Sequence, residues 1–313
     1  MIHEKIKLHV PGSADYAAMY TYFLDLSKEV PIEKRPTVIV CPGGAYAFTS
    51  DREAEPIAMR FNAIGMNAVV VRYSVAPARF PTALLEVATA VKYVREEGVK
   101  YGCDPEKVFT IGFSAGGHLA ASYGNFWSRP FVAEAMNCPS ELLRPNGQIL
   151  SYPVITSGPF AHHDSIKNLL GEQYELEKAN QSLENFVTKD TPPTFVWHTQ
   201  PDDCVPVENA LMLVSALQKN GIKTEFHMFP EGGHGLSLCN ESPRTAMPSS
   251  CRTSASGSTS QRSFCRAFNH RFSESRTNKV FDRPFLKGFA FSGDPLIGSP
   301  TPKQSTGLFR LPS

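Results

Sequence analysis

The sequence lacks the features that mark most nucleic-acid-binding, membrane-spanning and signal-bearing proteins. Its 313 residues carry 31 Lys or Arg and 30 Asp or Glu, so no bulk positive charge favours a nucleic-acid partner. No apolar run approaches the roughly 20 residues that a membrane span requires. The N-terminal segment, residues 1–7, has no apolar stretch of the kind that signal peptides carry. We therefore expect a cytoplasmic protein with neither a nucleic-acid nor a membrane partner.

The sequence also lacks the spacing of cysteine and histidine that would predict a disulfide framework or a metal centre. Its seven cysteines are scattered without paired spacing, which favours reduced thiols and agrees with a cytoplasmic location. His162 and His163 are adjacent but lack a carboxylate or cysteine at ligand spacing, so we expect both to face solvent. Gly43-Gly44 and Gly116-Gly117 match neither a dinucleotide fingerprint nor a phosphate-binding loop. The sequence therefore predicts no metal and no cofactor.

What the sequence does contain is a serine at a predicted sharp turn, in the segment Gly112-Phe113-Ser114-Ala115-Gly116. Residues 106–111 predict a short buried strand before it, and residues 117–122 predict the first turns of a helix after it. Flanking glycines fit a turn that is too tight for side chains, and such a turn leaves the serine hydroxyl exposed above the sheet. The context therefore predicts that Ser114 is a nucleophile.

Two later loops supply the groups that a serine nucleophile needs. Asp202 follows a strand-like run at residues 193–197, and His234 stands between glycines after a second strand-like run at residues 224–228. A serine hydroxyl is a poor nucleophile until a base accepts its proton, and a carboxylate orients that base. The chain order, serine then acid then histidine, is typical of α/β-hydrolases and differs from the orders in chymotrypsin and subtilisin.

Residues near the predicted acid offer alternatives to it. Asp203 competes with Asp202, and the spacing of the loop back to His198 favours Asp202. Cys204 beside the acid and Cys41 at the end of an earlier strand are expected to be small apolar residues and not nucleophiles. Asp203 is then expected to be a loop or capping residue.

Three other histidines are weaker candidates for the base. His227 lies inside a predicted strand and His198 at a strand end, where a structural histidine is the ordinary expectation. His118 lies in the helix after the serine. The glycine-flanked loop therefore favours His234.

With these motifs in place, the chain resembles the α/β-hydrolase esterase and lipase superfamily, in particular small bacterial carboxylesterases of the acetyl esterase and acetylxylan esterase type. The resemblance covers roughly residues 1–240. It rests on Pro42-Gly43-Gly44-Ala45-Tyr46, Arg72-Tyr73-Ser74, Tyr101-Gly102-Cys103-Asp104-Pro105, the GFSAGGHLAAS segment, the Asp202 loop and the GGHG segment. The resemblance implies Ser114 as the nucleophile and Asp202 and His234 as its partners.

The resemblance also implies an oxyanion hole formed by backbone amides near Gly44, Ala45 and Ala115. Relatives of the hormone-sensitive-lipase type have the pattern His-Gly-Gly-Gly, whereas this chain has Pro42 for the histidine and Ala45 for the third glycine. Ala45 keeps its amide, so it can donate provided that the backbone at this position does not need a positive φ.

The alternation of predicted strands and helices in residues 1–240 is the pattern of a doubly wound sheet. Residues 67–72 predict a fully apolar strand of a parallel sheet, and residues 82–98 predict an amphipathic helix. We expect the α/β-hydrolase fold, with a mostly parallel sheet, helices on both faces and the active residues at the C-terminal edge of the strands. Residues 156–190 form an insertion that is long and polar enough to make a small cap over the site.

The composition changes abruptly after Leu238. Residues 241–313 contain eleven Lys or Arg against four Asp or Glu, together with fourteen serines, and show no sustained helical or strand period. The superfamily that the chain resembles places an amphipathic helix here, and the sequence predicts none. We expect residues 1–240 to be the catalytic domain and residues 241–313 to be a disordered or foreign tail. A basic patch that binds polysaccharide or nucleic acid is the weaker interpretation of the tail.

These predictions describe a serine carboxylesterase that hydrolyses short-chain acyl esters through an acyl-enzyme. The resemblance alone implies a preference for acetyl esters of sugars or xylo-oligosaccharides. An amidase or peptidase of the same fold is the first alternative, and a catalytically impaired relic with an altered C-terminus is the second. The sequence leaves the acyl-chain length and the oligomeric state open.

Overall fold

The computed structural model of the chain describes residues 1–30 and 32–238. Its strands are β1 (Lys5–Lys7), β2 (Ala18–Tyr22), β3 (Arg35–Cys41), β4 (Asn67–Arg72), β5 (Cys103–Phe113), β6 (Gly147–Ser151), β7 (Thr194–Thr199) and β8 (Thr224–Phe229). They form one eight-stranded sheet in the order β1-β2-β4-β3-β5-β6-β7-β8. β2 pairs antiparallel with β1 and β4, and every neighbouring pair from β4 to β8 is parallel.

Helices cover both faces of this sheet. They are α1 (Glu55–Asn62), α2 (Thr82–Glu96), α3 (Ala115–Phe126), α4 (Pro130–Met136), α5 (His163–Leu170), α6 (Tyr174–Glu177) and α7 (Glu208–Lys219). One apolar cluster contains Val91 of α2, Leu119 of α3 and Leu213 of α7. A second cluster contains Ile57 and Phe61 of α1. The predicted fold, a mostly parallel doubly wound sheet with helices on both faces, is confirmed.

The local sequence explains why the central elements form. β4 reads Asn-Ala-Val-Val-Val-Arg, and every residue of β7 is buried. Strands that are covered on both faces have such continuous runs of apolar and β-branched residues. In α2, buried Leu84, Val87, Val91 and Val94 recur at helical spacing and turn one stripe of the helix to the sheet.

The parallel arrangement decides where the loops meet. The C-terminal ends of parallel strands share one edge of a sheet, and the loops that follow them lie together there. Gly43 to Tyr46 follow β3, Ser114 follows β5, the Asp202 loop follows β7 and the His234 loop follows β8. The sequence motifs therefore converge because of the topology.

The insertion at residues 156–190 folds into α5, α6 and short 3₁₀ turns. Ile166 and Leu169 bury the apolar face of α5. On the same helix, the Nδ2 group of Asn168 donates a hydrogen bond to the carbonyl oxygen of Ala45 at 2.9 Å. The insertion is therefore anchored on the loop that follows β3.

Two local expectations from the sequence were wrong or incomplete. Cys204 forms a disulfide, so the prediction of reduced thiols fails at this residue. Disulfide partners are neighbours in space, which spacing along the chain cannot reveal. Helix α4 was not predicted, because its seven residues are too short for a periodic pattern.

The predicted tail, residues 241–313, lies outside the described residues. In the described part of the chain, every helix is too short or too polar to cross a bilayer.

Candidate active site

Ser114 lies at the turn between β5 and α3 and has a strained backbone. Its φ of 52° and ψ of −120° lie in a region that L-residues rarely adopt. A Cβ on Gly112 would lie 2.0 Å from the carbonyl oxygen of Gly116, and a Cβ on Gly116 would lie 2.1 Å from the carbonyl oxygen of Cys41. The turn therefore requires glycine at both flanking positions, as the motif predicted.

The structure brings Ser114, His234 and Asp202 into one chain of hydrogen bonds. Nε2 of His234 lies 2.7 Å from Oγ of Ser114, and Nδ1 of His234 lies 2.8 Å from Oδ2 of Asp202. The Asp202 side chain is fully buried and the His234 side chain is 7% exposed, so water competes little for these contacts. Because a carboxylate accepts the Nδ1 proton, Nε2 is left to accept the hydrogen bond of the serine hydroxyl. This geometry can move a proton from the serine to the imidazole.

Hydrogen-bond donors surround the carboxylate of Asp202. Its Oδ1 accepts the amides of Cys204 at 3.0 Å and Val205 at 2.9 Å. Its Oδ2 lies 2.8 Å from Nδ1 of His234 and 3.2 Å from Nε2 of His198. Burial alone would raise the pKa of Asp202, but hydrogen bonds from His198 and His234 hold that pKa well below its ordinary value. Asp202 is therefore a carboxylate at neutral pH.

The rival residues considered from the sequence lie in other environments. Asp203 is exposed, in contrast to its neighbour. His227 lies 2.7 Å from Oε1 of Glu225 on the same strand. His118 is buried in α3, with Nδ1 3.0 Å from the hydroxyl of Tyr46. Neither histidine has the contacts of His234.

His198 has a position that the sequence analysis did not foresee. It is fully buried, as expected of a structural histidine, but its Nε2 contacts both Oδ2 of Asp202 at 3.2 Å and the carbonyl oxygen of Val205 at 2.8 Å. The spacing of four residues between His198 and Asp202 at one strand end was the available signal. His198 therefore lies in direct contact with the acid and with the loop that follows it.

The expectation that His162 and His163 both face solvent is wrong for His162. His163 is exposed, whereas His162 is half-buried at the start of α5 and accepts the amide of Ser165 at Nδ1. Burial, and secondly the charge of His234, lower the pKa of His162. His162 therefore lies within electrostatic reach of His234.

His118 predicts a pH dependence of stability. Burial lowers its pKa from 6.5 to about 4, so the unfolded chain takes up the proton first as the pH falls, and stability is lost below about pH 6.5. We expect this residue to remove about 2 kcal/mol of the unfolding free energy between pH 7 and pH 5. His118→Gln abolishes the titration, and urea denaturation at both pH values should show a shallower loss of stability in the variant. Equal losses in the two proteins would contradict the assignment.

The loop after β3 packs directly against Ser114. A Cβ on Gly43 would lie 3.1 Å from Cβ of Ser114, and the amide of Gly43 donates to Oε2 of Glu53 at 2.9 Å. Gly44 has a φ of 131°, and a Cβ there would lie 2.1 Å from the carbonyl oxygen of Phe48. Ala45 has a φ of 55°, which is the left-handed conformation. The condition drawn from the sequence, that the backbone at this position does not need a positive φ, is therefore not met.

The predicted oxyanion donors have unused backbone amides in the described part of the chain. Within the described residues, the amides of Gly44, Ala45 and Ala115 make no hydrogen bond, whereas the amide of Gly43 is taken by Glu53. Ala115 is the first residue of α3, where helical amides have no partner inside the helix. Ala45 adopts its left-handed φ at a cost on the order of 1 kcal/mol and keeps its amide. The loop can therefore offer amides to a developing negative charge.

Two family models match this chain. The model described as the prolyl oligopeptidase family matches residues 84–246, which is just over half of the chain and includes Ser114, Asp202 and His234. The model described as BD-FAE matches residues 24–136.

The relatives and solved structures that the chain resembles carry esterase and xylan-related names. Endo-1,4-beta-xylanase B of Butyrivibrio fibrisolvens is 38% identical over 66% of this chain and 33% of the relative. Acetylxylan esterase of Xylanibacter ruminicola is 30% identical over 64% of this chain and 40% of the relative. The chain thus spans less than half the length of either curated relative. The solved acetyl ester-xyloside bifunctional hydrolase of Caldicellulosiruptor lactoaceticus is 38% identical with a TM-score of 0.67, over 75% of this chain and 89% of the other.

Proposed function

The chain belongs to the prolyl oligopeptidase family within the α/β-hydrolase superfamily, and we propose that it is a serine carboxylesterase whose nucleophile is Ser114. The observation that carries the proposal is the 2.7 Å contact between Oγ of Ser114 and Nε2 of His234. The 2.8 Å contact between His234 and buried Asp202 supports it, because a base needs an orienting carboxylate.

The proposed reaction runs through an acyl-enzyme. Oγ of Ser114 attacks the acyl carbon while its proton passes to Nε2 of His234, and the imidazolium then protonates the leaving alcohol. His234 next removes a proton from water as the water oxygen attacks the acyl-serine ester, and it returns that proton to Oγ of Ser114 as the bond to the acyl carbon breaks and the carboxylic acid leaves. Asp202 keeps the other proton of His234 on Nδ1 and stabilises the imidazolium.

The unused amides beside Ser114 would stabilise the oxyanion. Gly44, Ala45 and Ala115 supply the candidate donors, since the amide of Gly43 already bonds to Glu53. A single donor of this kind typically contributes about 10²–10³ in rate.

We propose acetyl esters of sugars or xylo-oligosaccharides as the substrates. The support is the resemblance to an acetylxylan esterase and to an acetyl ester-xyloside hydrolase, whose names refer to acetylated xylan and to acetyl esters and xylosides. The insertion, which α5 anchors on the loop at Ala45, would limit the acyl and alcohol groups that reach Ser114.

The test is a comparison of kcat/KM for p-nitrophenyl acetate, butyrate and octanoate, followed by acetate release from acetylated xylo-oligosaccharides. We expect the acetate ester to be hydrolysed fastest and the octanoate ester slowest, with acetate released from the oligosaccharides. Faster hydrolysis of octanoate would contradict the short-chain proposal. No hydrolysis of any of these esters would contradict the carboxylesterase proposal itself.

An amidase or peptidase is the second candidate, favoured by the prolyl oligopeptidase description of the matching family model. An amide has a poorer leaving group than an ester and depends more on protonation by His234. Acetyl p-nitroanilide, assayed beside p-nitrophenyl acetate, separates the two functions. We expect the ester to be the better substrate, and a higher kcat/KM for the anilide would favour the amidase.

A further inference from the structure

A short turn, Asp51–Glu53, lies between the loop after β3 and the loop that carries His234. The carboxylate of Glu53 accepts the Gly43 amide at Oε2 over 2.9 Å and the hydroxyl of Tyr152 at Oε1 over 2.7 Å. The carbonyl oxygen of Gly43 in turn accepts the amide of Ser50 at 2.8 Å. Both backbone groups of Gly43, the residue that packs on Ser114, are therefore held by this turn and by Ser50, the residue that precedes it.

The same turn also holds the segment after His234. The hydroxyl of Tyr152 accepts the amide of Ser237 at 2.9 Å, and Oγ of Ser237 donates to the carbonyl oxygen of Arg52 at 2.6 Å. Nη1 of Arg52 donates to the carbonyl oxygen of Gly235 at 3.1 Å. The loop that carries His234 is thus fixed at Gly235 and at Ser237.

Packing connects this network to the imidazole itself. The ring of Tyr152 meets the ring of His234 edge to face, with centroids 5.1 Å apart. Tyr152 is fully buried, and its backbone has a positive φ of 38°, so the surrounding bonds hold it in a conformation that tyrosine rarely adopts. Its hydroxyl therefore fixes a ring that contacts the base.

The polar nature of the network needs a reason, because Glu53 is only 3% exposed. Burying a carboxylate costs free energy unless its oxygens accept hydrogen bonds. An apolar side chain would fill the same space without that cost. Glu53 joins two loops that must be set relative to each other, and an apolar side chain could not make that link. The network thus has a use beyond packing.

We propose that Glu53 is a positioning residue that fixes the loop after β3 and the loop that carries His234 relative to each other around Ser114. Its bond to Gly43 directs the next amides, those of Gly44 and Ala45, to the reacting carbonyl. Its bond to Tyr152 fixes the ring beside His234 and, through Ser237, the loop that carries the base. This inference rests on the proposed function, since the relative position of the two loops matters only if both act on one substrate.

The test compares Glu53→Gln, Tyr152→Phe and the double variant with the wild-type protein. Glu53→Gln keeps an oxygen for the Gly43 amide but replaces the acceptor of the Tyr152 proton with a donor, and Tyr152→Phe removes the hydroxyl. We expect each to lower kcat for p-nitrophenyl acetate by about 10- to 100-fold, since displacements of about 1 Å have such effects. KM should change less than threefold, and the double variant should be no worse than the poorer single one.

Glu86→Gln is the matched control. Glu86 is as buried as Glu53, and its carboxylate accepts hydrogen bonds from Ser13 and Ser74, whereas no hydrogen bond among the described residues joins it to the loops after β3 and β8. We expect Glu86→Gln to lower stability and to leave kcat within twofold. If Glu53→Gln behaved in the same way, with reduced stability and unchanged kcat, the positioning role would be overturned.

A second measurement does not depend on the reaction. Hydrogen exchange at the amide of Ser237 should become faster in both Glu53→Gln and Tyr152→Phe, because both break the chain of bonds to that residue. Exchange at wild-type rates would overturn the link between the loops even if kcat fell. If the wild-type protein hydrolysed no ester but the exchange rates rose as expected, the proposed function would fail and the link would stand.

Discussion

Replacing Ser114 with alanine is expected to lower kcat for p-nitrophenyl acetate by about 10⁶-fold, because the atom that forms the acyl-enzyme is lost. The fold should survive, since the change removes one oxygen from a turn whose shape depends on Gly112 and Gly116. Stopped assays with a high enzyme concentration measure the residual rate. Thermal and urea unfolding measure the stability.

Ser122→Ala is the control for this prediction. Ser122 is a buried serine eight positions further along the same segment, in α3, and its hydroxyl has no hydrogen-bond partner among the described residues. Its replacement should leave kcat unchanged. If Ser114→Ala kept more than about a thousandth of the wild-type kcat, Ser114 would not be the nucleophile, because the loss falls so far short of the expected one.

Replacing Asp202 with asparagine is expected to lower kcat by about 10⁴-fold while substrate binding changes little. The amide can present an N–H to Nδ1 of His234 where the carboxylate presented an acceptor. The imidazole then carries its proton on Nε2, where it can no longer accept the proton of Ser114. Steady-state kinetics at pH 7 measure the loss.

Asp203→Asn is the matched control, because Asp203 is the adjacent acid and is exposed. It should keep kcat within about twofold, as surface substitutions ordinarily have small effects. A large loss in Asp203→Asn together with a small loss in Asp202→Asn would exchange the two assignments. Similar losses in both variants would indicate a disturbed loop and would contradict the orienting role of Asp202.

The sequence was sufficient to predict the fold, and the loops that it marked bring Ser114, Asp202 and His234 into contact, because each signal is local. Ser114 lies between glycines at a strand end, and that pattern is tied to the backbone of one turn. Asp202 and His234 each follow a strand, and parallel topology carries the ends of these strands to one edge. Their chain order then distinguished this fold from others with the same side chains.

The contacts around these residues could not be predicted, because they join positions far apart in the chain. Glu53 meets Tyr152 across 99 positions, and Arg52 meets Gly235 across 183 positions. Neither Glu53 nor Tyr152 stands in a motif, so nothing in the sequence distinguished this buried glutamate from a surface one. The sequence of one chain carries no local signal that would pair residues so far apart.

Backbone conformation was the other limit. Ala45 occupies a position where the related pattern has glycine, and from the sequence its role as a donor depended on an ordinary negative φ. The observed φ of 55° shows that an L-residue is held in the left-handed region here, where Asn168 also binds its carbonyl oxygen. Tertiary contacts of this kind override local preference, and only the structure reveals them.

Covalent labelling of the intact protein with a fluorophosphonate, followed by mass spectrometry of its peptides, tests the central proton relay most directly. A reagent of this class reacts with a serine only when a neighbouring base activates it. The proposed mechanism predicts one adduct, on Ser114, with labelling slowed strongly in His234→Ala and Asp202→Asn and unchanged in Asp203→Asn. An adduct on another serine, or labelling of Ser114 at the wild-type rate without His234, would contradict it.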